Sequence, residues 1–370
     1  MKKINTFLLI SLVLISVLMT SCKKNDDPSQ AKITESKIQE VLDSIIANTH
    51  VPGLVAGIWA PNEGIDFVYA AGVSNIETNA PMDADMIFRI ASNTKTFTIT
   101  VLLQLVDEGL ISLDDPLSDY LADFPRANEV TIKMLTNMRS GIFGFDEIDG
   151  FWEGLFSNPT KFWTTDELIS LARDKPYYFN PGTGYHYSNT NTIIVGKIIE
   201  MLTGKTLEMN INTRILNSLN LYNTTYLVGG TSIPGFHSSA YYGGDYDPSF
   251  PELSEYLDTS WAGAAGCMTS NIADLKKYVE ALTGGEFLQP ATQQERLVCP
   301  EIDGGFGYGE GILGYKGFYG HNGECPGYRS LMINSPERKC TIIVWYNGEL
   351  DSANPIVLAK LIPELIYPDF

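Results

Sequence analysis

Acyl transfer by a serine needs a hydroxyl nucleophile, a base within reach of it, and donors aimed at the developing oxyanion. Ser92-Asn93-Thr94-Lys95 supplies the first two. If a helix starts here, three residues make one turn, so the Lys95 amine returns to the Ser92 hydroxyl while the helix N-terminus favours the alkoxide. SxxK alone is a weak signal, because the chain also has it at Ser21/Lys24 and Ser29/Lys32. Only Ser92 follows a β-rich stretch, 86–90, and opens an apolar helical pattern, 94–108, that Gly109 stops. Tyr187-Ser188-Asn189 is a second element: a phenol and an amide two residues apart in extended chain project the same way. Tyr178-Phe179-Asn180 has the same spelling, but Asn180-Pro181-Gly182 commits that Asn to a turn. The third element is Gly320-His321-Asn322-Gly323 at a strand end. Alternation puts His321 and Gly323 on one face, where a glycine lets substrate backbone approach the strand. A lone His near a strand end is more often structural, and it gains weight only from the other two elements.

These groups need a scaffold assembled from both chain ends. Residues 35–48 place Ile38, Val41, Leu42, Ile45 and Ile46 at helical spacing. GLVAGIWA (53–60) and IDFVYAA (65–71) flank the turn signal Pro61-Asn62-Glu63-Gly64 and predict a hairpin. Residues 305–313, 315–321, 328–334 and 340–347 predict an antiparallel meander, and 355–367 a closing helix. Between them lies a stretch of short helices and loops, with 241–256 read as a surface loop walled by aromatics. The pattern predicts one sheet with an inserted helical region.

Composition narrows the function classes. The chain has 370 residues, 44% of them hydrophobic and 19% charged, enough to bury a large core. A net charge of −19 repels phosphate backbones, so nucleic acid is excluded as an expected partner. Four His, with no HExxH and no paired CxxC, give no expectation of a metal or other cofactor. Lys2 and Lys3 precede a 13-residue apolar run, 7–19, and then Thr20-Ser21-Cys22, a charged, apolar and small-residue series that predicts a signal peptide over 1–21. The run is too short to span a bilayer. Cys22 resembles the lipidated cysteine of bacterial lipoproteins, although Leu18 sits one place upstream of its usual slot and Met19 fills it. Removing 1–21, which holds two lysines and no acidic residue, would bring the charge to −21. Residues 22–34 then read as a polar tether, and the location as the cell envelope, through a lipid anchor whose membrane face stays open. Cys267, Cys299, Cys325 and Cys340 allow three full disulfide connectivities or four thiols.

The runs FRIASNTKTFTITVLLQLVDEGLISLDDPLSDYL (88–121), TIKMLTNMRSGI (131–142), PGTGYHYSNTNTIIVGKIIE (181–200), AGAAGCMTSNIADL (262–275) and GHNGECPGYRS (320–330) resemble the serine β-lactamase-like family. That family contains class C β-lactamases, D-Ala-D-Ala carboxypeptidases, D-aminopeptidases and related esterases. VPGLVAGIW (51–59) fits its first strand. The resemblance covers nearly all of 35–370 in the family's order, with YSN and HNG where the sister signature has SDN and KTG. It implies an α/β fold of the α+β type: a mainly antiparallel sheet flanked by helices (about 35–91 and 262–370) plus a helical subdomain (about 92–261). It implies Ser92 as nucleophile, Lys95 and Tyr187 sharing the base and acid roles, and Asn189 binding the substrate amide. His321 would face a substrate carboxylate or the leaving group, and the backbone N–H groups of Ser92 and Glu324 would form the oxyanion hole.

Tyr and Lys both titrate near 10, so one must fall by roughly three pH units, about 4 kcal/mol, to act as a base at neutral pH. Which residue does so is a property of the coupled pair. Class C β-lactamases carry Lys where this chain has His321, so the resemblance favours peptidases and esterases over efficient β-lactam hydrolysis, while penicillin acylation stays in reach. A protonated His321 would make activity on carboxylate-bearing substrates rise on the acid side. The expected function is an envelope serine hydrolase that forms an acyl-enzyme, acts on D-amino-acid peptides in the manner of a D-Ala-D-Ala carboxypeptidase or D-aminopeptidase, and reacts with β-lactams. The alternatives are a carboxylesterase of the same fold and a catalytically dead sensor of muropeptides, the latter disfavoured by the intact Ser92, Lys95 and Tyr187. A Ser-His-Asp triad enzyme is disfavoured because no GxSxG elbow occurs.

Overall fold

The computed structural model describes residues 28–242, 252–349 and 353–370. Its strands are β1 (Gly53–Ala60), β2 (Ile65–Asn75), β3 (Ala80–Pro81), β4 (Phe88–Arg89), β5 (Thr225–Tyr226), β6 (Tyr241–Tyr242), β7 (Met268–Ser270), β8 (Glu301–Asp303), β9 (Phe306–Tyr308), β10 (Leu313–Tyr315), β11 (Phe318–Cys325), β12 (Tyr328–Ser335), β13 (Cys340–Tyr346) and β14 (Gly348–Glu349). Nine of them form one antiparallel sheet in the order β3-β2-β1-β13-β12-β11-β10-β9-β8, so β1 from the N-terminal part pairs directly with β13 from the C-terminal part. The single sheet built from both chain ends is what the sequence predicts.

Alternation along the central strands divides the molecule into layers. In β13, Cys340, Ile342, Val344 and Tyr346 enter one core while Ile343 and Trp345 enter the other. The first core lies under the helices Pro28–Thr49 and Leu358–Ile366, through Ile38, Leu42, Leu358 and Ile362. The second joins the opposite face to the helical region. At its centre runs the helix Thr94–Asp107, in which every residue from 94 to 103 is buried. A helix enclosed on all sides is held by packing rather than by an amphipathic stripe, and its N-terminus is fixed accordingly.

Several expectations are corrected. The first helix begins at Pro28 rather than residue 35, so 28–34 is not tether: proline suits a first helical turn, and Ala31 and Thr34 extend the buried stripe of Ile38 and Leu42. The rest of the tether, the 1–21 signal segment and Cys22 lie outside the described residues. The strand predicted over 305–313 is two strands, β9 and β10, because Gly309 N donates to Ile312 O (2.8 Å) and Gly311 turns at φ +64° against Ile99. Of the 241–256 loop, 241–242 is β6, paired in parallel with β14, residues 243–251 lie outside the described residues, and Leu253 is buried. The 92–261 stretch carries many helices but also β5 and β6, which pair with β7 and β14. The four described cysteines are all free thiols. Among the described residues no helix is long and apolar enough to cross a membrane.

Candidate active site

Ser92 sits where a strand becomes the buried helix. β4 pairs with β7, Ile90 N donates to Met268 O (3.0 Å), and the chain turns through Ala91–Asn93 before the helix starts at Thr94. Ala91 holds φ +47°, a left-handed conformation that costs a non-glycine residue energy and is tolerated where surrounding structure over-determines it. That structure is Asn93, whose Nδ2 donates to Ile90 O (2.8 Å) and to Ser330 Oγ of β12 (2.9 Å).

The Lys95 side chain folds back one helical turn, and its ammonium donates to Ser92 Oγ (3.0 Å) and Ala265 O (2.8 Å). It is 0% exposed. Burial pushes its pKa down to about 7, against a smaller opposing pull from Asp146. Tyr187 brings its ring centroid to 4.9 Å from Lys95 Nζ. Its hydroxyl oxygen is shut off from solvent, and burial raises the phenol well above its ordinary value, with only the Ser92 hydroxyl pulling the other way. Burial thus moves the two groups in opposite directions, the amine down and the phenol up, which favours the amine over the phenolate as the unprotonated group.

Tyr187 and Asn189 face one cleft, as their two-residue spacing predicts, although Asn189 is the first residue of the helix Asn189–Thr203 rather than part of an extended loop. The cleft has a volume of about 460 Å³ and joins Ser92, Asp146, Tyr187, Asn189, His321 and Glu324, with Trp152, Tyr185, Tyr308, Leu313 and Ile356 as apolar walls. Asn189 Nδ2 donates to Asp146 Oδ2 (2.7 Å). A larger cavity of about 690 Å³ beside Trp59 has no hydroxyl or thiol in its lining.

His321 lies in the cleft wall but differs from expectation in its charge. It is 2% exposed. Tyr308 O–H donates to Nε2 (3.0 Å), and Nδ1 donates to Asn322 O (2.5 Å), which fixes the neutral tautomer because a carbonyl can only accept. Burial, followed by the Lys95 charge, drives its pKa down to about 3. Burial thus acts against a cationic His321 facing a carboxylate, and against the acid-side rise in activity that such a cation would give. Gly323 is also re-read. A Cβ there would stand 2.2 Å from Ile90 O and 2.8 Å from Asn93 Nδ2, so the missing side chain makes room for the Ser92 turn and not for a substrate strand. Its neighbour Glu324 reaches the cleft, with its carboxylate held by Arg329 Nη2 (2.8 Å).

Asp146 and Glu147 are cleft residues the sequence reading missed. The only sign of them is an acid-rich turn, FDEID, and nothing in its spacing connects it to Tyr187 or Ser92. Among the described residues no group of three His, Cys, Asp or Glu side chains is placed to hold a metal ion.

A family model described as beta-lactamase matches residues 37–364. Penicillin-binding protein 4* of Bacillus subtilis is 27% identical over 334 residues, covering 82% of this chain and 71% of that protein. A D-aminopeptidase of Brucella anthropi is 26% identical, covering 86% of this chain, which spans 60% of the relative's length. Among solved structures, a D-stereospecific amidohydrolase from Streptomyces superposes with a TM-score of 0.80 at 28% identity, over 90% of this chain and 98% of that one. A D-amino acid amidase from Ochrobactrum anthropi, complexed with L-phenylalanine amide, gives 0.78 at 27% identity, over 91% and 99%.

Proposed function

The chain belongs to the beta-lactamase family and is a serine hydrolase of that fold, and from this premise we propose that it cleaves D-amino-acid amides and peptides through an acyl-enzyme at Ser92. The observation that carries the proposal is the fully buried Lys95 amine at 3.0 Å from Ser92 Oγ, depressed to about 7. In the neutral amine the contact reverses: Ser92 O–H donates to the Nζ lone pair. As Oγ bonds to the substrate carbonyl carbon, the proton passes to Lys95 and the C=O π pair moves onto oxygen. The backbone N–H groups of Ser92 and Glu324 receive that oxyanion. Collapse expels the leaving amine, which takes a proton delivered through the Tyr187 phenol and replaced from the Lys95 ammonium. Water then repeats the sequence on the ester.

Relatives described as D-aminopeptidases and D-amino acid amidases support the substrate class. A D-Ala-D-Ala carboxypeptidase needs a cation for the terminal carboxylate, and neutral His321 does not supply one, which favours amidase-like over carboxypeptidase-like activity. The same neutrality favours a second reading, a carboxylesterase acting on uncharged acyl compounds, while likeness to penicillin-binding proteins supports slow acylation by β-lactams. The N-terminal pattern supports a further proposal, a lipid anchor at Cys22 in the cell envelope; detergent partitioning of wild type against Cys22→Ser checks it.

The test of the core proposal is intact-mass spectrometry of the protein with a fluorophosphonate and with benzylpenicillin, beside Ser92→Ala. One adduct per chain is expected on wild type and none on the variant. An adduct that persists in Ser92→Ala overturns the assignment.

A further inference from the structure

Among the described residues the cleft is lined by four carboxylates, Asp146, Glu147, Glu324 and Glu349, and by one basic side chain, His321. Two arginines behind this lining are turned to other partners. Arg139 lies over the Tyr185 ring (5.6 Å) and its Nη1 donates to the carbonyls of Asn137 (2.9 Å) and Tyr308 (3.4 Å), while Arg329 holds Glu324. His321 is therefore the one group in the lining that could meet a substrate carboxylate as a cation.

Both of its ring nitrogens are already taken. Nδ1 donates to Asn322 O (2.5 Å), and Nε2 accepts from the Tyr308 hydroxyl (3.0 Å). Protonation would not release Nε2, because a phenol accepts as well as donates and the new N–H would point at the Tyr308 oxygen. In either protonation state no ring N–H is left for a substrate. Tyr308 has no room to turn away. It is 1% exposed, its N donates to Pro300 O (3.2 Å), β9 pairs it with Leu313 of β10, and its ring stands edge-on to Tyr187 at 6.0 Å. The other groups facing the imidazole are Tyr187, 6.0 Å away between ring centroids, and Lys95, near enough to act on its titration; Met332, its register partner on β12, is uncharged.

We propose that Tyr308 is a specificity-determining residue: by holding Nε2 of His321 it denies the cleft its one cation and turns away substrates with a carboxylate on the leaving group. The inference rests on the acyl-enzyme reading above and sharpens it. Tyr308 acts through His321, so freeing Nε2 should open the cleft to a class of substrate that the wild-type protein handles poorly. In the freed ring Nδ1 still donates to Asn322 O, and a proton taken up on Nε2 would point an N–H at the carboxylate.

The experiment measures release of the N-terminal D-alanine by the full chain from D-alanyl-D-alanine and from its C-terminal N-methylamide, at pH 6 and pH 8. Wild type is expected to favour the N-methylamide at least about tenfold in kcat/KM. Tyr308→Phe, which keeps the ring against Tyr187 and frees Nε2, is expected to narrow that preference by about tenfold to a hundredfold at pH 6, through a lower KM for the free acid, and by less at pH 8. Adding His321→Asn is expected to return the wild-type ratio. The ratio is the readout, because loss of packing around Tyr187 lowers both rates together. Nitrogen NMR of the His321 ring in Ser92→Ala gives a second readout that leaves Tyr308 in place: the shifts are expected to hold when D-alanyl-D-alanine is added. Fluorophosphonate labelling of Ser92 reports folding of Tyr308→Phe and separates the two levels of the argument. The role of Tyr308 is overturned if a labelled Tyr308→Phe keeps the wild-type ratio, if the gain survives His321→Asn, or if the Nε2 shift moves on adding the dipeptide. If Ser92 does not label in wild type, the hydrolase mechanism itself fails.

Discussion

Lys95 Nζ and Ser92 Oγ are 3.0 Å apart, and the amine that makes this contact has no access to water. Isolation from solvent lowers the amine's pKa to about 7, while Tyr187, walled off in the same way, moves upward. The pair thus splits into one proton acceptor and one proton holder. Activity on a neutral ester should rise as pH increases through about 7. Tyr187→Phe should keep that inflection while losing at least a hundredfold in kcat. A pH–rate profile of kcat/KM in both forms checks this, and an inflection that vanishes with the phenol would assign the base to Tyr187.

A buried amine also weakens the fold. The folded-state pKa of Lys95 lies below its unfolded value, so the unfolded chain binds the extra proton. The penalty is full below pH 7 and fades as pH rises toward 10.5. Its size at pH 7 is on the order of 4 kcal/mol before the bond to Ala265 O is set against it. Lys95→Met should abolish hydrolysis yet raise Tm by several degrees at pH 7, with a smaller gain at pH 9.5. Calorimetry at the two pH values tests the sign, and equal gains at both would remove the electrostatic explanation.

His321 should remain a neutral imidazole, protonated on Nδ1, from pH 8 down to about 5. Its two hydrogen bonds leave Nε2 as the acceptor, and its pKa is near 3. Nitrogen NMR shifts of the labelled ring report the tautomer directly. Hydrolysis of carboxylate-bearing substrates should then follow the Lys95 inflection alone, with no increase on the acid side.

What could be read from residues alone follows the range over which each feature is determined. Ser92 and Lys95 meet because one helical turn is a local geometry, and Tyr187 and Asn189 share a cleft because alternation is local too. The β1–β2 hairpin and the meander were legible for the same reason. The charge of His321 was not, since the hydroxyl that satisfies it belongs to Tyr308, on a strand the predicted 305–313 run concealed. Asp146 was invisible because its importance arises from Asn189, 43 residues away, and from a cleft that exists only after folding. The start of the first helix was misplaced because the buried stripe of Ile38 and Leu42 continues into its first turns through the small Ala31 and the polar Thr34, which carry little hydrophobic signal.

Gly323 gives the sharpest structural prediction. Strand β11 passes so close to the Ser92 turn that a β-carbon would sit 2.2 Å from Ile90 O, a backbone atom with no freedom to yield, because Ile90 N is tied to Met268 and Ile90 O itself accepts from Asn93. Ser330 Oγ, at 2.7 Å from the same point, is pinned by Asn93 as well. Gly323→Ala must therefore push β11 away from the turn or displace Ala91 from its left-handed conformation. Either movement separates the backbone N–H of Glu324 from that of Ser92, the two donors that would share the oxyanion. Overpacking of this kind costs about 1–3 kcal/mol, and losing one oxyanion donor lowers kcat by about a hundredfold to a thousandfold. Gly317→Ala, in an open turn at φ +83° with nothing within 4 Å, should lose stability of the same order from backbone strain alone and keep its kcat. Urea titration and steady-state kinetics on the two variants separate the effects, and a Gly323→Ala enzyme with unaltered kcat would show that the strand and the nucleophile turn are not coupled.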